Sequence, residues 1–377
     1  MQEVNVCHIT TVHRPFDPRI FDKQCRTISK AGYRVSLIAP NDKNEMVDSI
    51  DIVPIPQAKN RLMRMIVSTL SALLQAHKVK AEIYHVHDPE LLMAGVLLKL
   101  LTGKKIIYDV HEDYAKQMLS KEYIPSIARK SVAAFTKIAE RLLSGVFDGV
   151  VAATDDILKN FSHMEKAVTV SNFPRLDNYV SKERIGDRHK KVFDIVYFGG
   201  LSRIKGLSNT AEALDLIESG EEVRLTLCGS FDPPEYEAEI MQSGGSGKIR
   251  FLGWQDLSTI RELMFSADIG VICFLPEPNH VKAVPNKLFE YMAAGLPVIA
   301  SNFSLWKDYV EGNGCGICVN PQDPQEIAGA IGYLIDRPAL RQKMGERGRK
   351  ACREKYNWEN EGRKLLRLYA QVGKTGY

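Results

Sequence analysis

The chain has 377 residues, 45% of them hydrophobic and 25% charged, with a formal net charge of +4. That length suits two domains better than one core, and the composition excludes a disordered or fibrous chain. The small net charge supplies no general field for nucleic acid, and no aromatic-studded basic motif is present, so no nucleic-acid partner is expected.

The opening MQEVNVCHIT has no basic region leading into a long apolar core, which argues against a signal peptide. The segment VNVCHIT reads as a buried parallel strand, followed by the polar loop TVHRPFDPR. A helix is expected over 20–31, stopped by Gly32, and a strand over 33–38 completes a βαβ unit. The same order recurs at 83–87, 89–101 and 105–110, and again at 149–153, 155–161 and 167–170. The most apolar stretch, 91–101, is broken by Gly95 and Lys99 and is too short to span a bilayer, so a cytoplasmic location is expected.

A polar stretch over 176–191 reads as a linker. A second series then opens with FDIVYFGG, and continues through a helix in LSRIKGLSNTAEALDLI and the strand VRLTLCGS. IRFLGW, a helix near 257–265, ADIGVICF, a helix over 286–294 and PVIAS follow. The expected fold is α/β: two Rossmann-like domains facing across a cleft, each a parallel sheet covered by helices. The expected limits are 1–180 and 190–355. The remaining 356–377 forms a charged helix whose apolar spacing at Leu365, Leu366 and Tyr369 suits a return to the first domain. Ligands of such sheets bind beyond the carboxyl ends of the strands.

GGLSRIKG follows an apolar strand directly. Gly199 and Gly200 let the backbone approach a ligand closely, and Arg203 and Lys205 are two cations suited to a diphosphate. The bland alternative is a solvated basic loop. In VPNKLFEYMAAGLPVIAS a helix starts after Pro285, offering unpaired N–H groups and a positive dipole end to an anion. Glu290, one turn further in, is able to accept two hydrogen bonds from a ribose diol, or simply to face solvent.

GGLSRIKG and KLFEYMAAGLPVIAS together resemble the donor-binding half of glycosyltransferase family 4, retaining enzymes of GT-B architecture, and GCGICVNPQDPQEIAGAI resembles that family's glycine-rich turn and following helix. The similarity covers most of the chain and is strongest over 194–330. It implies that Gly200, Arg203 and Lys205 meet the donor pyrophosphate and Glu290 the ribose. The amides of Asn286, Lys287 and Leu288 then face the distal phosphate or the sugar. The base is expected near Gly229 and Trp254, at the ends of two neighbouring strands, with Trp254 stacking on it or filling the core. The resemblance also implies a nucleotide-sugar donor, most commonly a UDP-sugar, transferred to a glycan or lipid-linked acceptor with retained configuration. One departure stands out: the family carries a Glu eight residues before the ribose Glu, then a Gly-Phe-Gly-like turn. Here these are Lys282 and Ala283, Val284 and Pro285, leaving Lys282, His280 or Asn279 to meet the sugar.

HVHDPELL and YDVHEDY each end an apolar strand with histidine and acid. By resemblance His111 is the histidine beside the transferred sugar, and the catalytic residue. His87, Asp88, Arg14, Asp17 and Arg19 are acceptor-side candidates, the last three alternatively forming internal ion pairs. Metal ligation is the competing reading of the His and Asp residues. No D-x-D sequence is present, and two cations with a helix tip can neutralise a diphosphate, so neither a metal nor any cofactor is expected. The seven scattered cysteines, CGIC included, read as buried reduced thiols.

Between residues 52 and 81 there are basic residues and no acidic ones. Arg61, Arg64, Ser68, Ser71, Gln75 and Lys78 share one helical face, and Leu62, Met65, Ile66, Leu70 and Leu73 the other. The ordinary expectation is that the apolar face covers the first sheet. The alternative is a peripheral contact with anionic lipid at the inner membrane face. Two rival functions share the two-domain pattern: a sugar-nucleotide epimerase and a non-catalytic ligand binder.

Overall fold

The computed structural model describes residues 4–120, 124–179 and 192–373. The chain divides into two compact units, one formed by 1–172 with 358–377 and the other by 173–357. The boundary falls ahead of the polar stretch because Phe173 already belongs to the second unit, its ring 4.6 Å from Phe289 and 5.5 Å from Tyr356. Residues 180–191, most of the expected linker, lie outside the described residues.

The first unit holds an eight-stranded sheet ordered β3-β4-β2-β1-β5-β6-β7-β8. Its strands are β1 (Asn5–Ile9), β2 (Arg34–Pro40), β3 (Glu45–Val47), β4 (Ile50–Ile55), β5 (Ile83–Val86), β6 (Lys105–Val110), β7 (Gly149–Ala152) and β8 (Ala167–Thr169). All neighbours pair in parallel except β3 with β4, which form an antiparallel hairpin at the edge. This departs from the expected all-parallel sheet. Its two turn residues, Asp48 and Ser49, have φ of 50° and 62°, the backbone of a tight hairpin turn without the usual glycine. β1, β5 and β6 run through the buried centre, which explains their near-continuous apolar sequences.

The closing helix, Trp358–Gly373, belongs to this sheet. Trp358, Leu365, Leu368, Tyr369 and Val372 join the core formed with Ile20, Phe21 and Ile28. Trp358 Nε1 donates to Thr27 Oγ1 at 2.8 Å, and Glu361 accepts from the Ser171 amide at 2.8 Å. Each large apolar side chain buried there contributes about 1.5–3 kcal/mol, so the helix is an integral part of the unit.

The 61–79 helical stretch is turned opposite to the ordinary expectation. Ser68, Ala72 and Ala76 meet the sheet, whereas Leu62, Met65, Ile66 and Leu70 are exposed, and of the expected apolar face Leu73 packs against the core. The small side chains allow the helix to lie close to the strands, and Ser68 Oγ donates to Pro56 O at 3.2 Å.

The second unit holds a six-stranded, wholly parallel sheet ordered β11-β10-β9-β12-β13-β14. Its strands are β9 (Val192–Phe198), β10 (Glu222–Cys228), β11 (Ile249–Phe251), β12 (Ile269–Ile272), β13 (Val298–Ser301) and β14 (Gly316–Val319). One continuous core, rich in Phe, Tyr and Ile, surrounds them. All seven cysteines are free and buried. In CGIC, burial pushes both thiols up to about 12, which leaves them inert at neutral pH.

Candidate functional site

In the second unit the sequence motifs gather at the carboxyl ends of β9, β10 and β12. Two glycines make this possible. A Cβ on Gly229 would lie 1.9 Å from the Gly199 carbonyl oxygen, and one on Gly206 would lie 1.9 Å from the Cys273 carbonyl oxygen. The strand ends are therefore stitched together by backbone: the Gly199 amide donates to Cys228 O at 2.8 Å, and the Gly229 amide to Gly253 O at 2.8 Å.

After β9 the chain passes Gly200 into a single tight turn, Arg203–Lys205. The turn sends its two cations to different neighbours. Lys205 Nζ donates to His280 Nε2 at 3.0 Å and sits 4.1 Å from the centre of the Phe274 ring. His280 is held by Leu275 O, 3.0 Å from its Nδ1. Arg203 instead lies over Tyr236, 4.9 Å from the ring centre, and pairs with Glu239. The two cations expected to act together are thus separate in this structure.

The sequence reading gave Lys287 only a backbone role, but its side chain completes the cluster. Lys287 Nζ donates to Tyr197 OH at 3.1 Å and lies 5.2 Å from the centre of Phe274. Burial, then the neighbouring Lys205, push its ammonium down to about 7, against a pull upward from Glu290. Burial also lowers Lys205. Two desolvated ammonium groups facing the same ring are poised for an anion, which would relieve both penalties.

The helix Asn286–Ala294 starts here with no side-chain cap. The Leu288 amide donates to Pro285 O at 3.0 Å, so its donor is already used. Asn286 and Lys287 begin the helix ahead of it, where amides lack intrahelical partners. Glu290 is half-buried one turn on, between the buried Phe289 and Tyr291. Tyr291 OH donates to Val196 O at 2.9 Å, tying this helix to β9. Lys282 is exposed, and the turn after it is pinned where Trp306 Nε1 donates to Ala283 O at 2.8 Å. Trp254 is 75% exposed, which rules out the core role.

In the first unit a polar cluster lies at the ends of β1, β5 and β6. Its centre is Asp109, a buried residue that the sequence reading passed over. Its Oδ1 accepts from Arg19 Nη2 at 2.8 Å, and its Oδ2 accepts from Arg19 Nε at 3.2 Å and Gln24 Nε2 at 2.5 Å. His111 Nε2 and His87 Nδ1 approach the same Oδ2 at 3.2 and 3.3 Å. Burial alone would raise this carboxyl, but Arg19 and the two histidines outweigh it and hold Asp109 well below the usual range. An ionised Asp109 draws a proton on Nε2 of His111, and Nδ1 is then the ring atom left to accept from a substrate.

Behind His111 the imidazoles form a buried chain. His87 Nε2 lies 2.8 Å from His8 Nδ1, His8 Nε2 3.3 Å from Tyr369 OH, and that hydroxyl 2.7 Å from His85 Nδ1. Burial lowers all three histidines, His87 to about 3, so they are neutral. His87 is therefore a support rather than an acceptor contact. Asp88 is also structural: its Oδ2 accepts from Thr10 Oγ1 at 2.9 Å and the Thr11 amide at 2.6 Å, which anchors the loop after β1. Asp17 caps the next helical turn through the amides of Arg19 and Ile20 and bonds His13 Nδ1 at 3.0 Å. Arg19 gives its remaining reach to Val170 O at 2.8 Å. Of the acceptor-side candidates only Arg14 is exposed. That loop brings in an unforeseen neighbour, His13, whose ring lies 5.2 Å from His111.

Two triads among the described residues have ligand atoms close enough for a metal, namely His8, His85 and His87, and His87, Asp109 and His111. In the second triad those atoms meet one another, whereas in the first only His8 and His87 do, His85 turning Nδ1 to Tyr369 and leaving Nε2 buried without a partner.

Comparison with known proteins decides the family. Residues 181–351 match the family model described as Glycosyl transferases group 1, and residues 18–173 match Glycosyltransferase Family 4. The chain belongs to glycosyltransferase family 4. The capsular polysaccharide biosynthesis glycosyltransferase CapM of Staphylococcus aureus is 23% identical over 373 residues, covering 95% of this chain and 96% of that protein. The sucrose-phosphate synthase of Thermosynechococcus elongatus superposes with a TM-score of 0.78 at 18% identity, covering 99% of this chain and 100% of that one. The structure of Anabaena Alr3699/HepE in complex with UDP and glucose gives 0.73 at 16% identity, covering 98% and 100%. This glycosyltransferase therefore has the two-domain α/β architecture known as GT-B, and its class serves glycan and polysaccharide biosynthesis. No helix among its described residues is long and apolar enough to cross a membrane.

Proposed function

We propose that this glycosyltransferase transfers a sugar from a UDP-sugar to a glycan or lipid-linked acceptor at the inner face of a membrane, with retention of configuration and without a metal. The observation that carries the donor half is the convergence of Lys205, Lys287 and an uncapped helix start on one desolvated spot. Those groups neutralise the leaving diphosphate, the task a divalent cation performs elsewhere. Arg203 joins them on exchanging Glu239 for phosphate. Glu290 receives the ribose hydroxyls, and Trp254 closes over the base. The UDP in the Anabaena structure supports the choice of nucleotide.

In the first unit His111 accepts a hydrogen bond from the transferred sugar through Nδ1 and orients it. The acceptor oxygen forms its bond to the anomeric carbon on the face from which the diphosphate oxygen departs. The acceptor proton passes to that departing oxygen, so no protein carboxylate is needed as base. The glycan acceptor is supported by the capsular relative, and its presentation on a membrane by the apolar side chains that the 61–74 stretch turns outward.

The test is release of UDP from a panel of UDP-sugars with and without acceptor. Release only when acceptor is present is expected, and an epimerase would instead interconvert the donor without it. Full activity in the presence of a chelator is expected. Loss restored by a divalent cation would overturn the metal-independent reading. Glu290→Ala is expected to weaken UDP binding roughly 10- to 100-fold, the worth of hydrogen bonds to a charged group. Calorimetry showing unchanged affinity would remove Glu290 from the ribose site.

A further inference from the structure

The outward apolar side of residues 61–74 does not stand alone. The next two helices on the same side of the first sheet, Leu92–Thr102 and Ser126–Ser144, pack beside it in succession. Each also turns a full apolar row away from the protein. On the first of them Met93, Leu97, Leu100 and Leu101 are exposed, at the i, i+4, i+7, i+8 spacing of one face. On the second, Ile127, Phe135, Ile138 and Leu142 are exposed along one face, Ile127 to 91% and Phe135 to 72%. Scattered exposed leucines are ordinary on a soluble surface, but three adjoining rows form a patch.

The three segments that carry this patch are themselves rich in cations. The three segments 59–80, 92–105 and 126–144 contain twelve Lys and Arg residues and one acid; three of the twelve pair with acids outside the segments, Arg64 with Glu90 and both Lys99 and Lys105 with Asp148. The acid within them, Glu140, points inward to accept from Tyr108 OH at 2.9 Å. On the 126–144 helix Lys130, Lys137 and Arg141 form a row beside the apolar one. Lys104 is exposed just beyond the end of the 92–102 helix. Across the whole chain Lys and Arg number 50 against 46 Asp and Glu, so the bias is local.

We propose that these three helices form one docking face for an anionic lipid bilayer, with the apolar rows entering the headgroup boundary and the flanking lysines and arginines meeting lipid phosphates. Apolar rows bordered by an excess of cations fit a negatively charged interface whose interior is apolar. A second protein copy meeting the same face would bring like-charged rows, Lys130, Lys137 and Arg141 among them, against one another. The proposal builds on the membrane-presented acceptor and enlarges the contact from one stretch to a face.

The test uses the whole protein, without donor or acceptor, and vesicles of phosphatidylcholine with or without phosphatidylglycerol. Flotation with the anionic vesicles only, weakened by salt, is expected. The triple variant Leu100→Ser, Ile127→Ser and Phe135→Ser should lower partitioning at least tenfold. Reversing Lys130 and Lys137 to Glu should lower it roughly fivefold per charge. All five sites lie on the outer surface, so melting temperature and transfer to a soluble acceptor should not change. Absence of vesicle binding by the native protein overturns the proposal, as does a concentration-dependent dimer that the triple variant abolishes. Undiminished binding by the triple variant confines the contact to 61–74 and also overturns it. Because flotation needs no turnover and the soluble assay needs no lipid, failure of docking and failure of the transferase reading are told apart.

Discussion

Lys287→Ala is expected to weaken the binding of UDP about 100-fold, because it removes a desolvated cation from the diphosphate. The signature that separates this role from simple packing is a proton. In the free protein burial and Lys205 hold Lys287 near 7 instead of its ordinary 10.5. The unfolded chain therefore binds more protons than the folded one between those two values, and stability rises with pH across that window. A bound diphosphate reverses the balance by restoring the ammonium. At pH 8 UDP binding should take up close to one proton, measured by calorimetry in two buffers of different ionisation enthalpy. Affinity should decline as pH rises above about 7, by up to tenfold per unit. Both effects should vanish in Lys287→Ala. Proton uptake that persists unchanged in the variant would assign it to another group.

Asp109→Asn is expected to lower kcat about 100-fold while leaving the affinity for UDP unchanged. The carboxylate holds Nε2 of His111, and an amide in its place offers one face that repels the ring N–H. The same change strips Arg19 of its buried counter-ion, and breaking such a pair costs about 3–5 kcal/mol. The melting temperature should therefore fall together with kcat. His111→Ala separates the two effects. Its ring sits at the edge of the cluster, 13% exposed, so its removal should reproduce the loss of kcat with little loss of stability. A native kcat in Asp109→Asn, measured on the folded fraction, would show that the ring orients itself without the carboxylate.

The alternation of strands and helices was plain in the sequence because buried parallel strands must be mostly apolar, and β1, β5, β6 and β9 are. The same property hid Asp109. A single acid inside KIIYDV carries no periodic signal, and its partner Arg19 lies 90 residues away. The β3–β4 hairpin went unread because Asp48 and Ser49 make its turn without glycine or asparagine. The glycines and the helix start of the second unit were legible, since tight backbone approaches admit few residue types. The parting of Arg203 from Lys205 was not, because it depends on Glu239 and His280 in other elements. The 61–74 stretch misled in the opposite way. Amphipathic spacing identifies two faces of a helix but does not say which one meets the protein, and here Ser68, Ala72 and Ala76 provided the closer fit.

The return of the closing helix to the first sheet sets an order of assembly. The second unit is one uninterrupted run, 173–357, and is complete as soon as that run has been synthesised. The first unit begins earlier yet finishes later, since Tyr369, the buried hydroxyl between His8 and His85, emerges from the ribosome after the whole of the second unit. The imidazole chain behind His111 therefore stays open until the second unit has been made, and a nascent chain completes the Lys205–Lys287 cluster before the support of His111 is in place.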